Sequence, residues 1–223
     1  MRRTLVCLIV LFAPLGARAG LVDRVDPFIG TGGHGHTFPG PTLHFGMVQL
    51  SPDTRLTGWD GCSAYHYSDS VVYGFSHTHL SGTGASDYGD ILFMPVTGVP
   101  KLENGYPDRV DEGYGSRFEK ESERASAGYY AVRLEDYGVD VELTATPRTG
   151  LHRYVFPKGR PAHVIVDLTH RDRLLGSDLR VVGDDAIEGF RRSTAWARDQ
   201  YVFFRARFSR PFTETRIVTA PVE

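Results

Sequence analysis

From roughly residue 115 to residue 220, apolar side chains fall at every second position, and this period constrains the fold more than any other feature. Val139, Val141, Leu143 and Ala145 point one way, while Asp140, Glu142 and Thr144 point the other. Successive side chains of an extended chain face opposite sides, so the pattern describes a strand with one face buried. Tyr130, Val132 and Leu134 repeat it, with Asp136-Tyr137-Gly138 as the turn between the two runs. Residues 162–168 and 201–208 read the same way. Gly183-Asp184-Asp185 joins residues 179–182 to residues 186–190 as a further hairpin. Residues 119–127 hold helix formers without an apolar stripe, and are expected to make a short surface turn. Short strands between turn signals predict an all-β, antiparallel β-sandwich, not a parallel α/β sheet.

The chain opens with basic Met1-Arg2-Arg3, an apolar run over residues 5–15, and Ala17-Arg18-Ala19, a small-x-small cleavage signal. That order is a secretory signal peptide over residues 1–19, cut between Ala19 and Gly20. The apolar run is too short to cross a bilayer comfortably, and Cys7 lies too far before the cut to carry a lipid. A periplasmic or secreted product without a membrane anchor is expected. Cys62 is then the single thiol, so the mature fold must hold without an intrachain disulfide. A net charge of -2 offers no basic face for nucleic acid. The length suits one large β domain over residues 20–223, and 12% aromatic residues supply bulky core material. The sequence stops soon after its last strand, at Ala220-Pro221-Val222-Glu223, so the sandwich is expected to be incomplete at its C-terminus.

Residues 25–98 have a different texture, dense in Gly, His, Asp and aromatic residues, which suits a binding surface carried by the β scaffold. Gly30-Thr31-Gly32-Gly33-His34-Gly35 matches GxGxxG, but Thr37-Phe38-Pro39-Gly40-Pro41 follows it. Two prolines so close deny the helix that a dinucleotide site needs, leaving a loop whose amides and imidazoles face a ligand. Two His-x-His pairs occur, His34/His36 and His77/His79. On a strand the second pair would share a face and can ligate zinc with a carboxylate such as Asp87 or Asp90. Hydrogen bonding to backbone or to sugar hydroxyls is the commoner use of such histidines. Gly58-Trp59-Asp60-Gly61 sets an indole between glycines, where its face can carry the apolar side of a pyranose; a core tryptophan is the plainer reading. Trp196 has less supporting context and reads as structural or rim. Arg55, Arg117, Arg133, Arg148, Arg153 and Arg171 read as solvated strand faces or surface ion pairs. Asp53, Asp60, Asp87 and Asp90 are the carboxylates placed for glycoside cleavage, but nothing in the sequence gives any of them a raised pKa.

VDPFIGTGGHGHTFPG, FGMVQLSPDT, GWDGCSAYHYSDS, GFSHTHLSGTGASDYGDILFMP and ELTATPRTGLHRYVFP resemble, in that order, the N-terminal domain of glycoside hydrolase family 92. The resemblance implies a supersandwich-like β-sandwich followed by a larger (α/α)6 barrel. It implies exported, inverting exo-α-mannosidases, with α-1,2 linkages expected, acting on α-mannosides of N-glycans or mannan with the help of calcium. Inversion sets two carboxyls about 6.5–9.5 Å apart with water between base and sugar. The family's general acid, general base and most calcium ligands belong to the barrel, so no catalytic residue and no metal ligand is assigned here. The expected partner is that catalytic domain, and the chain alone is expected to be inactive. The matching positions assign Gly33, His34, His36, Trp59, Asp60, His77 and His79 to the mannose pocket, with residues 82–84 behind them. Family members usually carry a bulky residue where Gly61 sits and glycine where Ala64 sits. A free-standing mannan-binding module and a histidine-based zinc protein remain the alternatives.

Overall fold

The computed structural model describes residues 20–219; the signal-peptide reading of residues 1–19 lies outside the described residues. Strands of the first half are short: β1 (Ser51–Asp53), β2 (Val71–Val72), β3 (Gly74–Ser76), β4 (Leu92–Thr97) and β5 (Ser116–Arg117). Glycine and proline interrupt this half too often for longer pairing. The alternating half forms β6 (Arg124–Ser126), β7 (Tyr129–Leu134), β8 (Val139–Ala145), β9 (Gly150–Val155), β10 (Ala162–Asp167), β11 (Arg173–Val182), β12 (Ala186–Thr194) and β13 (Gln200–Arg207). Among the described residues, helix is limited to short 3-10 turns.

Three main antiparallel sheets result, in the orders β1-β3-β4-β10, β6-β7-β8-β9 and β11-β12-β13. β4 explains how they stack. It reads LFMPVT and is buried along its whole length, as a strand covered on both faces must be. Leu92, Met94 and Val96 join Leu50, Phe75, Tyr130, Val132, Val141 and Leu143 in one apolar cluster, between the first and second sheets. Phe93, with Ile91, Leu168, Ile187 and Val202, forms another against the third sheet. The first sheet is therefore the middle layer, and the all-β antiparallel sandwich expected from the sequence is what the chain adopts.

Two expectations change. Residues 124–126 are a strand, not part of a surface turn: a 3-10 turn (Lys120–Ser122) delivers them to the open edge of β7, where Arg124 pairs with Ala131. β11 begins at Arg173, well before residue 179. A register shift between Leu174 and Gly176 disturbs the alternation that would have revealed it.

Candidate functional site

The glycine-rich loop closes on itself. A Cβ on Gly35 would lie 2.0 Å from the Gly30 carbonyl oxygen, so only glycine fits. The Gly35 N–H donates to the Gly32 carbonyl at 3.0 Å, and Gly33 turns at φ +60°. No helix follows, so the loop is a platform for side chains and not a nucleotide cradle. His34 and His36 converge on one carboxylate: His34 Nδ1 lies 3.0 Å and His36 Nε2 3.5 Å from Asp60 Oδ1. The hydrogen bond from His34 is the main reason the Asp60 carboxyl is held below its usual range.

Trp59 sits on a 3-10 turn (Trp59–Gly61) entered through Gly58 at φ +84°. Its indole is 65% exposed, so it is not a core tryptophan. The ring meets His36 edge-on, centroids 5.3 Å apart. Behind it lies Gly84, where an added Cβ would come within 2.3 Å of the ring. The Gly82 N–H donates to the His36 carbonyl at 2.6 Å, and Cys62 Sγ to the Thr83 carbonyl at 2.5 Å. The three segments 30–36, 58–62 and 82–84 thus form one surface, with Gly33, His34, His36, Trp59 and Asp60 upon it.

His77 and His79 lie deeper and do not act together. β3 ends at Ser76, so the alternation that would align them no longer applies. His77 Nδ1 is 2.6 Å from the Ile91 carbonyl and its Nε2 is 3.0 Å from His152 Nε2. Burial pushes the His77 imidazole down to about 4. His79 is buried: its Nε2 lies 2.6 Å from Asp53 Oδ1 and its Nδ1 2.6 Å from the Gln49 carbonyl.

The acids divide in the same way. Asp53 is fully buried, held by His79, by His170 at 2.6 Å and by the Ser76 hydroxyl at 3.0 Å. Burial alone would raise its pKa, but the two imidazoles hold it well below the carboxylate range. Asp90 is buried in an ion pair with Arg191, and also accepts from Thr78 Oγ1 at 2.7 Å and Gln200 Nε2 at 2.8 Å. Asp87 is buried and accepts the N–H groups of Tyr88 and Ala197 at 2.9 and 2.8 Å. Of the four candidate aspartates only Asp60 reaches the surface.

Sequence reasoning missed His170-Arg171-Asp172, just past β10. Arg171 is not a solvated strand arginine; it is buried and spans two loops of the site. No sequence signal marked it, because a charged triplet after a strand is ordinarily a surface loop and the partners of Arg171 come from residues 61, 62 and 86. Arg117, Arg133 and Arg153 do form exposed ion pairs. Trp196 is 80% exposed in the β12–β13 turn.

One arrangement of this kind does defined chemistry. An exposed aromatic face beside a carboxylate and two imidazoles offers stacking and hydroxyl recognition. It does not provide the opposed carboxyl pair of hydrolysis. Nor does it fit calcium, which takes six to eight oxygen ligands. Among the described residues no group of three or more His, Cys, Asp or Glu side chains can hold a metal ion.

The family model for the glycosyl hydrolase family 92 N-terminal domain matches residues 24–222. A family 92 α-mannosidase from Bacteroides thetaiotaomicron, solved in complex with mannoimidazole, is 42% identical with a TM-score of 0.82; the match covers 86% of this chain and 26% of that one. A family 92 inverting mannosidase from the same organism is 28% identical with a TM-score of 0.64, over 78% of this chain and 22% of that one. An uncharacterized secreted glycosidase of Arthroderma benhamiae is 31% identical, over 65% of this chain and 19% of its own length. The chain therefore spans about a quarter of its solved relatives and about a fifth of the curated one. A sandwich of this topology, matched along nearly its whole described length, belongs to glycoside hydrolase family 92 as its N-terminal domain.

Proposed function

We propose that this chain forms one wall of the mannose site of a secreted, inverting exo-α-mannosidase, with α-1,2-linked mannosides as substrate. One observation carries the reading: Asp60, the single surface carboxylate among the four candidates, stands beside the exposed Trp59 and under two histidines. In this role the indole packs on the apolar face of the pyranose, while Asp60 accepts its hydroxyls and His34 and His36 orient the carboxylate. Gly33 lets the loop approach closely. His77 and His79 support the wall from within. The general acid, the general base and most of the calcium ligands are assigned to residues outside this segment, in the catalytic domain that is its partner. The mannoimidazole complex of a relative supports the substrate class. Export accords with the relative described as secreted.

Two measurements test this. The purified chain is expected to release nothing from aryl α-mannoside or α-1,2-mannobiose; turnover abolished by Asp60→Asn or Asp87→Asn would overturn the reading. Mannose titration is expected to perturb the Trp59 fluorescence and to lose that response in Trp59→Ala. A response unaltered in Trp59→Ala would place any sugar elsewhere.

A further inference from the structure

The 3-10 turn (Lys120–Ser122) does more than deliver β6 to its edge. Residues three apart on such a turn eclipse, so Lys120 and Glu123, which caps the turn, stand on one side of it. Lys120 Nζ lies 2.8 Å from Glu123 Oε2, and the Glu123 side chain is 1% exposed. The same ammonium faces three rings, its Nζ 4.6 Å from the centroid of Phe118, 4.8 Å from that of Tyr67 and 5.0 Å from that of Tyr65. A cation within about 6 Å of a ring centroid is drawn to the negative face of the ring. The Tyr65 hydroxyl closes the cup. It accepts from Lys120 Nζ at 3.0 Å and donates to the two Glu123 oxygens at 3.0 and 3.1 Å, and Tyr130 donates to Glu123 Oε1 at 2.6 Å.

The segment that forms this cup also grips the glycine-rich loop. The Tyr67 N–H donates to the Thr31 carbonyl at 2.8 Å. His66 Nε2 lies 3.0 Å from the Gly33 carbonyl. Its Nδ1 accepts the Ser68 N–H at 3.2 Å, so Nε2 carries the ring hydrogen and donates it to Gly33. Phe28, just before the loop, packs edge-on against Tyr67, centroids 5.8 Å apart. Gly33 directly precedes His34, whose Nδ1 meets Asp60. A short path of covalent and hydrogen bonds thus runs from the Lys120 ammonium, through Tyr65 and His66, to the carboxylate of the wall. The sugar reading leaves Lys120, Glu123 and His66 without a role.

We propose that Tyr65, Tyr67, Phe118 and Glu123 form an ammonium-binding cage, filled by the chain's own Lys120, that fastens the glycine-rich loop where His34 and His36 reach Asp60. Lys120 and His66 are positioning residues in this scheme. The inference rests on the sugar-wall reading for its purpose, though not for its structural content. The cage needs a cation and not merely bulk. Glu123 is buried, and without the ammonium its carboxylate loses its one cationic partner among the described residues and keeps only hydroxyl donors. An apolar side chain in place of Lys120 fills the space but leaves that charge uncompensated, and Tyr65 with it.

Amine acetylation of the full chain reads the cage first. Lys120 is expected to react about tenfold more slowly than exposed Lys158, because its ammonium must first leave three rings and a carboxylate; equal rates overturn the proposal. Hydrogen exchange then reads the loop. In Lys120→Met, residues 28–36 are expected to exchange about tenfold faster while β8 keeps its protection. In Lys120→Ala, n-propylammonium, the fragment deleted, is expected to restore the protection of residues 28–36, and sodium at the same ionic strength to leave it lost. His66→Ala is expected to speed exchange in the loop while Lys120 stays slow to acetylate, which places His66 between cage and loop. Residues 28–36 as well protected in Lys120→Met as in the parent, or protection lost equally from β8, overturns the proposal; so does a cooperatively melting Lys120→Ala that n-propylammonium does not restore. Should Lys120→Ala fail to fold, acetylation of the parent and exchange in Lys120→Met still decide. Mannose titration of Trp59 separates the two ideas. A chain whose Trp59 ignores mannose while residues 28–36 answer to Lys120 removes the sugar reading and leaves the cage standing.

Discussion

Ala64 shows how a single residue carries backbone strain. It sits at φ +62° while its carbonyl accepts the N–H groups of Thr54 and Arg55 at 2.7 and 3.1 Å. Those bonds keep it there although a Cβ disfavours the left-handed region by about 1–2 kcal/mol. Ala64→Gly is expected to stabilise the chain by up to about 1 kcal/mol, after the extra chain entropy of glycine is subtracted. The urea midpoint should rise with an unchanged slope; a fall would show that the Ala64 methyl packs better than it strains. Asp53 is the opposite case, a buried charge that the fold depends on. Removing one partner of a buried, hydrogen-bonded ionic group costs about 3–5 kcal/mol. Asp53→Asn is expected to lose that much, and an unchanged melting curve would refute it. The pKa of Asp53 is lowered in the folded state, so its contribution is complete above the unfolded value and disappears as pH falls through the acid range. At this scale sequence pattern failed for a clear reason. The two His-x-His pairs look alike, yet His34 and His36 meet on an exposed loop while His77 and His79 diverge beyond the end of β3. Spacing specifies a face only while the secondary structure continues.

β4 is the element on which the layers depend, since its alternate residues enter both apolar clusters. Met94 is fully buried in the cluster between the first two sheets. Met94→Ala is expected to destabilise by about 2–5 kcal/mol. Leu151→Ala on β9, where the side chain is 63% exposed, should change stability by less than about 0.5 kcal/mol. Chemical denaturation of both variants checks the contrast, and equal losses would mean that β4 is not central. β10 packs Ile165 on one cluster and Val164 and Val166 on the other, while β7, β8 and β13 were readable because one face of each is the more buried and alternation records that. β6 and the start of β11 were not, because an edge pairing and a bulge leave no period in the sequence.

For the molecule as a whole, the outward side of the third sheet decides behaviour in solution. Phe190, Tyr201 and Phe203 lie together there, their ring centroids 5.7–6.1 Å apart, and Phe203 is 70% exposed. A contiguous aromatic patch on a sheet favours association between copies. The isolated chain is expected to self-associate with rising concentration, and Tyr201→Thr with Phe203→Thr to shift sedimentation toward monomer. A wild-type chain that stays monomeric at high concentration would show the patch to be harmless.

Local pattern alone determined the β class, the longer strands of the second half and the family, because burial on one face imposes a period and long motifs in fixed order survive as strings. Only the folded chain decided which polar residues meet. Asp53 with His79 and His170, Arg171 beneath the Trp59 turn and Asp90 with Arg191 join residues far apart in sequence. Such pairings follow from how the layers stack, and a buried charge in sequence looks the same as an exposed one until that stacking is known.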